Sequence, residues 1–123
     1  MNVNDYLART YDAPPCWQLV ADVYDRELQQ TVTDYRTINS SIRAIASAFR
    51  IALHKSPAGF DQIDAPRDFC IVLMGRYQSM GLHHCGVFYG GRILHAMADG
   101  SRYEELSVIG DAYPVMEFWA KTP

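Results

Sequence analysis

A chain of 123 residues with 49% hydrophobic and 20% charged side chains has the material for one packed domain and leaves no case for general disorder. Its net charge of −3, without any run of Lys or Arg, excludes the electrostatic grip on phosphates that nucleic-acid binding needs. The longest apolar run, Phe69 to Met74, falls far short of the ~20 residues that span a bilayer, so no membrane insertion is expected.

The N-terminal MNVNDYLART lacks the basic start and apolar block of a signal peptide, and the expectation is a chain made in the cytoplasm without its own secretion tag. Three cysteines, Cys16, Cys70 and Cys85, are an odd number without a CxxC pair. That pattern fits neither a disulfide framework nor a standard zinc site and leaves room for a chemical role. There is no internal repeat and no Gly/Ser linker, so residues 1–123 read as a single domain.

The first helix is expected to start just after Pro14-Pro15 and run to about Gln30, with Leu19, Val20, Val23, Glu27 and Leu28 on one face. Cys16 then lies in its first turn. A second helix fits Thr37 to His54, because Ile38, Ile42, Ile45, Phe49 and Leu53 recur at intervals of three and four. His54 at its end reads as a partner of the helix dipole. The stretch from Ser56 to Pro66 carries turn residues and separates a helical half from a half rich in strand signals.

In that second half, Phe69 to Arg76 reads as a buried strand, and Leu82 to Tyr89 and Arg92 to Met97 flank Gly90-Gly91, a favoured hairpin turn. Val115 to Ala120 adds a last strand, with its aromatics read as core. Helices followed by strands predict an α+β fold with N-terminal helices packed on an antiparallel sheet.

The hairpin allows a geometric test of the histidines. With Gly90 and Gly91 in the turn, Tyr89 pairs with Arg92, which sets Gly86 opposite His95 and His84 opposite Met97. Alternation gathers His84, Gly86, Phe88, Ile93, His95 and Met97 on one side and His83, Cys85, Val87, Tyr89, Arg92 and Leu94 on the other. His84 and His95 become diagonal neighbours, with no side chain on Gly86 between them. A metal cluster of His83, His84, Cys85 and His95 fails, because those side chains divide between two faces.

Two imidazoles in reach suggest a base and its orienter. Cys16 is the candidate nucleophile, since unpaired N–H groups and the dipole at a helix N-terminus stabilise a thiolate. The bland alternative is that Cys16 is packing, as buried free cysteines commonly are. Cys70, within FCIVLM, reads as core, and Cys85 faces away from His84.

Three segments, in order, carry a resemblance. CWQLVADVYDREL, PRDFCIVLM and HCGVFYGGRILHA are similar to the nucleophile helix, the Pro-Gly-Asp strand and the His-x-Gly hairpin of the NlpC-type papain-like cysteine peptidases. The Cys-Trp start, the TDYR segment and the small size most resemble the branch encoded by tailed bacteriophages. Pro15, where an Asp commonly precedes the nucleophile, and Arg67, where the strand usually has Gly, depart from the pattern without touching the three proposed catalytic groups.

What the resemblance implies is a papain-like NlpC-type fold with Cys16 as nucleophile, His84 as general base and His95 as the residue that orients it. Tyr11 and Trp17 are the substrate-binding residues it suggests, and it requires neither metal nor organic cofactor. It implies a tail-associated peptidase that is made in the host cytoplasm, carried in the virion tail and active in the cell wall or periplasm. There it would cut an amide near D-glutamate and diaminopimelate in the peptidoglycan stem peptide, with tail tip proteins as partners. Two alternatives stay open: a structural or assembly component of the tail that retains the fold, and an acyltransferase or amidase on another small amide.

Overall fold

The computed structural model describes residues 1–12, 15–32 and 60–121. The expected helix from Thr37 to His54 lies outside the described residues, as does Pro14.

A short helix α1 (Val3–Leu7) is capped by the Asn2 side chain, which accepts from the Asn4 N–H, and it buries Tyr6. Helix α2 (Pro15–Leu28) begins on a proline, whose fixed φ and missing N–H suit the first helical position. Its buried residues Cys16, Trp17, Leu19, Val20, Val23 and Tyr24 form one stripe along the helix. It ends at a left-handed Gln29 (φ 51°), after which the Gln30 N–H bonds back to the Tyr24 carbonyl.

The remaining described elements are β1 (Phe60–Ile63), β2 (Ile71–Gly75), a 3-10 turn (Gln78–Met80), β3 (His84–Tyr89), β4 (Arg92–Met97), β5 (Gly100–Glu105), α3 (Leu106–Ala112) and β6 (Val115–Lys121). The six strands form one antiparallel sheet in the order β1-β6-β2-β3-β4-β5. The chain is thus α+β, with N-terminal helices packed on an antiparallel sheet, as the sequence pattern predicts.

Each sheet face has its own core. Cys16, Leu19, Val20 and Val23 of α2 pack with Ile71, Leu73, Cys85, Val87, Leu94, Ala96 and Trp119. On the other side Val72, Met74, Ile93 and Ala120 pack with Ile109 of α3 and with Tyr113. Alternation along β3 and β4 therefore sorts side chains as the hairpin register requires. Both turn residues have positive φ, Gly90 at 58° and Gly91 at 83°, and the pairing runs Tyr89↔Arg92, Phe88↔Ile93 and Val87↔Leu94. Trp119 and Ala120 are buried in β6, which lies between β1 and β2, so the C-terminal aromatics belong to the core.

Three expectations need correction. The turn-rich stretch before Pro66 contains β1, an edge strand that buries Phe60 and exposes Asp61 and Gln62, so it lacks an alternating apolar pattern. The strand expected from Phe69 begins at Ile71, because Phe69 takes a left-handed φ of 68°, with its carbonyl accepting from the Tyr24 hydroxyl. Helices do not all precede strands: α3 intervenes between β5 and β6 and covers the face opposite α2.

Candidate active site

Cys16, His84 and His95 come from three elements and converge. Cys16 is the second residue of α2, so its thiol lies beside the unpaired N–H groups of the first turn, where there is no acidic side chain. Its side chain is hydrogen-bonded to Cys85 and to His84, and the thiol is held well below the usual thiol range. The largest cause is the Cys85 hydrogen bond; burial opposes it, and the His84 hydrogen bond and charge reinforce it.

His84 opens β3, where it pairs with Met74 of β2. Its Nε2 lies 2.8 Å from His95 Nδ1, and the two rings meet edge to face with centroids 5.0 Å apart. Since Nε2 is taken, Nδ1 is the nitrogen left for the Cys16 thiol. The ring also stacks on Tyr113, with centroids 5.1 Å apart and planes 22° from parallel.

The approach of the two imidazoles depends on Gly86. A Cβ there would stand 2.7 Å from the Leu94 carbonyl oxygen, 2.8 Å from Ile93 Cγ2 and 3.0 Å from His95 Cβ. Only a residue without a side chain lets β3 and β4 close at this point. His95, 2% exposed, is pulled down to about 4, first by burial and then by the charges of His84 and Arg102. It is neutral at physiological pH and can act as a hydrogen-bonding partner without competing for the proton.

Other singled-out residues fall elsewhere. His83 bonds through Nδ1 with the Gly81 carbonyl at 3.2 Å. Cys70 is buried on the α3 side of the sheet, and burial raises its thiol. All three cysteines are free. Tyr11 donates its hydroxyl to Asp22 at 2.7 Å and lines a cleft of about 360 Å³ with Arg9, Asp12, Gln18 and Asp25. Burial and that carboxylate push the Tyr11 hydroxyl up. Trp17 is 1% exposed and packs in the core under α2, a position that anchors the helix rather than presenting a ring to solvent.

Two neighbours of the site escape the sequence reading. Cys85 faces away from His84 by alternation, yet that same side is where α2 lies, so Cys85 meets Cys16 directly. Its thiol is pushed well above the usual range by burial and by the adjacent Cys16. Assigning α2 to the Val87 and Leu94 face would have found it. Tyr113 follows α3 and leaves no motif; only tertiary packing brings it to His84.

Among the described residues, no group of three or more His, Cys, Asp or Glu side chains is arranged to hold a metal ion. No described helix is long and apolar enough to cross a membrane. No family model, curated protein or solved structure matches this chain.

Proposed function

We propose that this protein is a cysteine peptidase of the NlpC type, carried in a bacteriophage tail and cutting an amide of the peptidoglycan stem peptide so that the tail can pass the cell wall. The observation that carries the reading is the chain of contacts from a helix-terminal Cys16 thiol through His84 to His95. A lowered thiol with an imidazole in hydrogen-bond contact, itself held by a third polar group, is what nucleophilic attack on an amide requires.

In this reading Cys16 Sγ, as thiolate, attacks the amide carbonyl carbon and forms the C–S bond. The oxyanion is met by the Cys16 backbone N–H at the helix N-terminus, together with a second donor. Collapse of the tetrahedral intermediate breaks the C–N bond, and His84 delivers its proton to the departing amine. His84 then takes a proton from water as the water attacks the thioester, and Cys16 is released. His95 keeps the His84 ring in place throughout. The resemblance points to a bond near D-glutamate and diaminopimelate, with tail tip proteins as neighbours and the host wall or periplasm as the place of action.

The burial of Cys16, 4% exposed, favours a second reading as a structural tail component that keeps the peptidase fold with little turnover. Mass spectrometry of fragments released from purified peptidoglycan, comparing the reduced native protein with Cys16→Ala, separates the two. New peptide ends that vanish in the variant establish the peptidase and identify the bond. No release by either folded protein leaves the structural role.

A further inference from the structure

His95 has a second ring nitrogen. Nε2 is buried and has no hydrogen-bond partner, while Glu104 Oε1 lies 3.8 Å away on the neighbouring strand. The β4–β5 register explains the approach: His95 pairs with Arg102 and Ile93 with Glu104, so Glu104 is the diagonal neighbour of His95 on the same face. Arg102, directly opposite, turns its guanidinium to the Asp99 carboxylate at 3.2 Å and leaves the carboxylate of Glu104 facing the ring. The Glu104 side chain is 31% exposed, so it is partly shielded and still free to adjust its rotamer.

The tautomers are linked. If His84 Nδ1 is to take a proton from Cys16, His84 must carry its resting proton on Nε2 and donate it to His95 Nδ1, 2.8 Å away. His95 must then carry its own proton on Nε2, the atom that faces Glu104. The opposite arrangement puts a bare Nε2 lone pair against a carboxylate. It also makes His95 donate to His84 Nε2, which leaves the His84 proton on Nδ1 and disables the base.

We propose that Glu104 is a positioning residue: its carboxylate accepts from His95 Nε2–H, fixes the His95 tautomer and so holds the lone pair of His84 Nδ1 toward Cys16. The proposal rests on reading Cys16 and His84 as nucleophile and base, and deepens it by a fourth member. Closing the 3.8 Å separation to hydrogen-bond distance would satisfy a buried ring nitrogen that is otherwise without a partner.

Two measurements test it on the whole protein without substrate. Nitrogen-15 shifts and two-bond couplings of the imidazoles at neutral pH should show His95 protonated on Nε2 in the native protein and a mixture of tautomers in Glu104→Ala. The rate of Cys16 alkylation by iodoacetamide against pH, followed by peptide mass spectrometry, should move to higher pH in Glu104→Ala. A loss of about tenfold is expected on the acid side. Glu104→Gln, whose amide oxygen still accepts, should restore the native tautomer, which a merely structural role would not require.

A native His95 protonated on Nδ1, or a tautomer and alkylation profile unchanged in a folded Glu104→Ala, overturns the proposal. His84→Ala keeps the two levels apart. If the native profile is ordinary and indifferent to His84→Ala, the nucleophile and base reading falls as well. If it shifts with His84→Ala and not with Glu104→Ala, only the role of Glu104 falls.

Discussion

His84 Nε2 and His95 Nδ1 lie 2.8 Å apart on adjacent strands, both buried, with no side chain at Gly86 to crowd His95 Cβ. Either ring alone would be an ordinary core histidine. Together they form a directed hydrogen bond that leaves one nitrogen of His84 for the thiol of Cys16.

Loss of either chemical partner should stop turnover while the fold persists. Cys16→Ala is expected to abolish amide cleavage, and His84→Ala to lower kcat/KM by about 10²–10⁴-fold. Far-ultraviolet circular dichroism of each variant should match the native protein. Undiminished cleavage by folded Cys16→Ala would sink the proposed chemistry.

Gly86→Ala should separate the two imidazoles. The new Cβ meets a backbone carbonyl at 2.7 Å, which cannot step aside as a flexible side chain can. The strands must splay, at a cost of about 1–3 kcal/mol. Urea denaturation should show the loss of stability, and a fall in kcat larger than any rise in KM should show the misplaced base.

Cys85 holds the Cys16 thiolate by a hydrogen bond from its own thiol, the largest cause lowering Cys16. Cys85→Ala removes that donor from a fully buried position, so the alkylation profile of Cys16 should move to higher pH. The small cavity should cost about 1 kcal/mol. Cys85→Ser keeps a donor and should hold the profile closer to the native one. An identical profile in all three proteins would contradict the role of Cys85.

Stability should fall between neutral and acid pH through His95. Below pH 6.5 the unfolded chain takes up a proton on this residue that the folded protein refuses until about pH 4. The unfolded state therefore gains as pH drops through that window, by up to ~3 kcal/mol, and the effect levels off below it. The slope of urea stability against pH between 6.5 and 4 should be smaller in His95→Gln than in the native protein. Equal slopes would show that His95 titrates normally.

Much of this arrangement is legible in the order of residues alone. The Gly90-Gly91 turn determines register, register determines which side chains share a face, and from that follow the nearness of His84 and His95 and the need for Gly86. Helix α2 is legible because its apolar spacing and its proline start agree. What escapes is whatever depends on tertiary contact or lacks an apolar pattern. Strand β5, GSRYEE, has no fully buried residue to mark alternation, yet it brings Glu104 to His95. Helix α3, with Ile109 as its buried residue, has too narrow an apolar face to stand out, and Tyr113 follows it without a motif. The meeting of Cys16 with Cys85 is a contact between helix and sheet, which no local spacing encodes.

The base and its orienter sit on one continuous hairpin, whereas the nucleophile arrives from a helix near the other end of the chain. Both side chains that lower the Cys16 thiol belong to β3, so until α2 docks on that strand Cys16 has neither of them beside it. The nascent chain thus lacks the assembled base and the Cys85 donor, and the docking of α2 on the sheet is also the step that completes the activation of the sulfur.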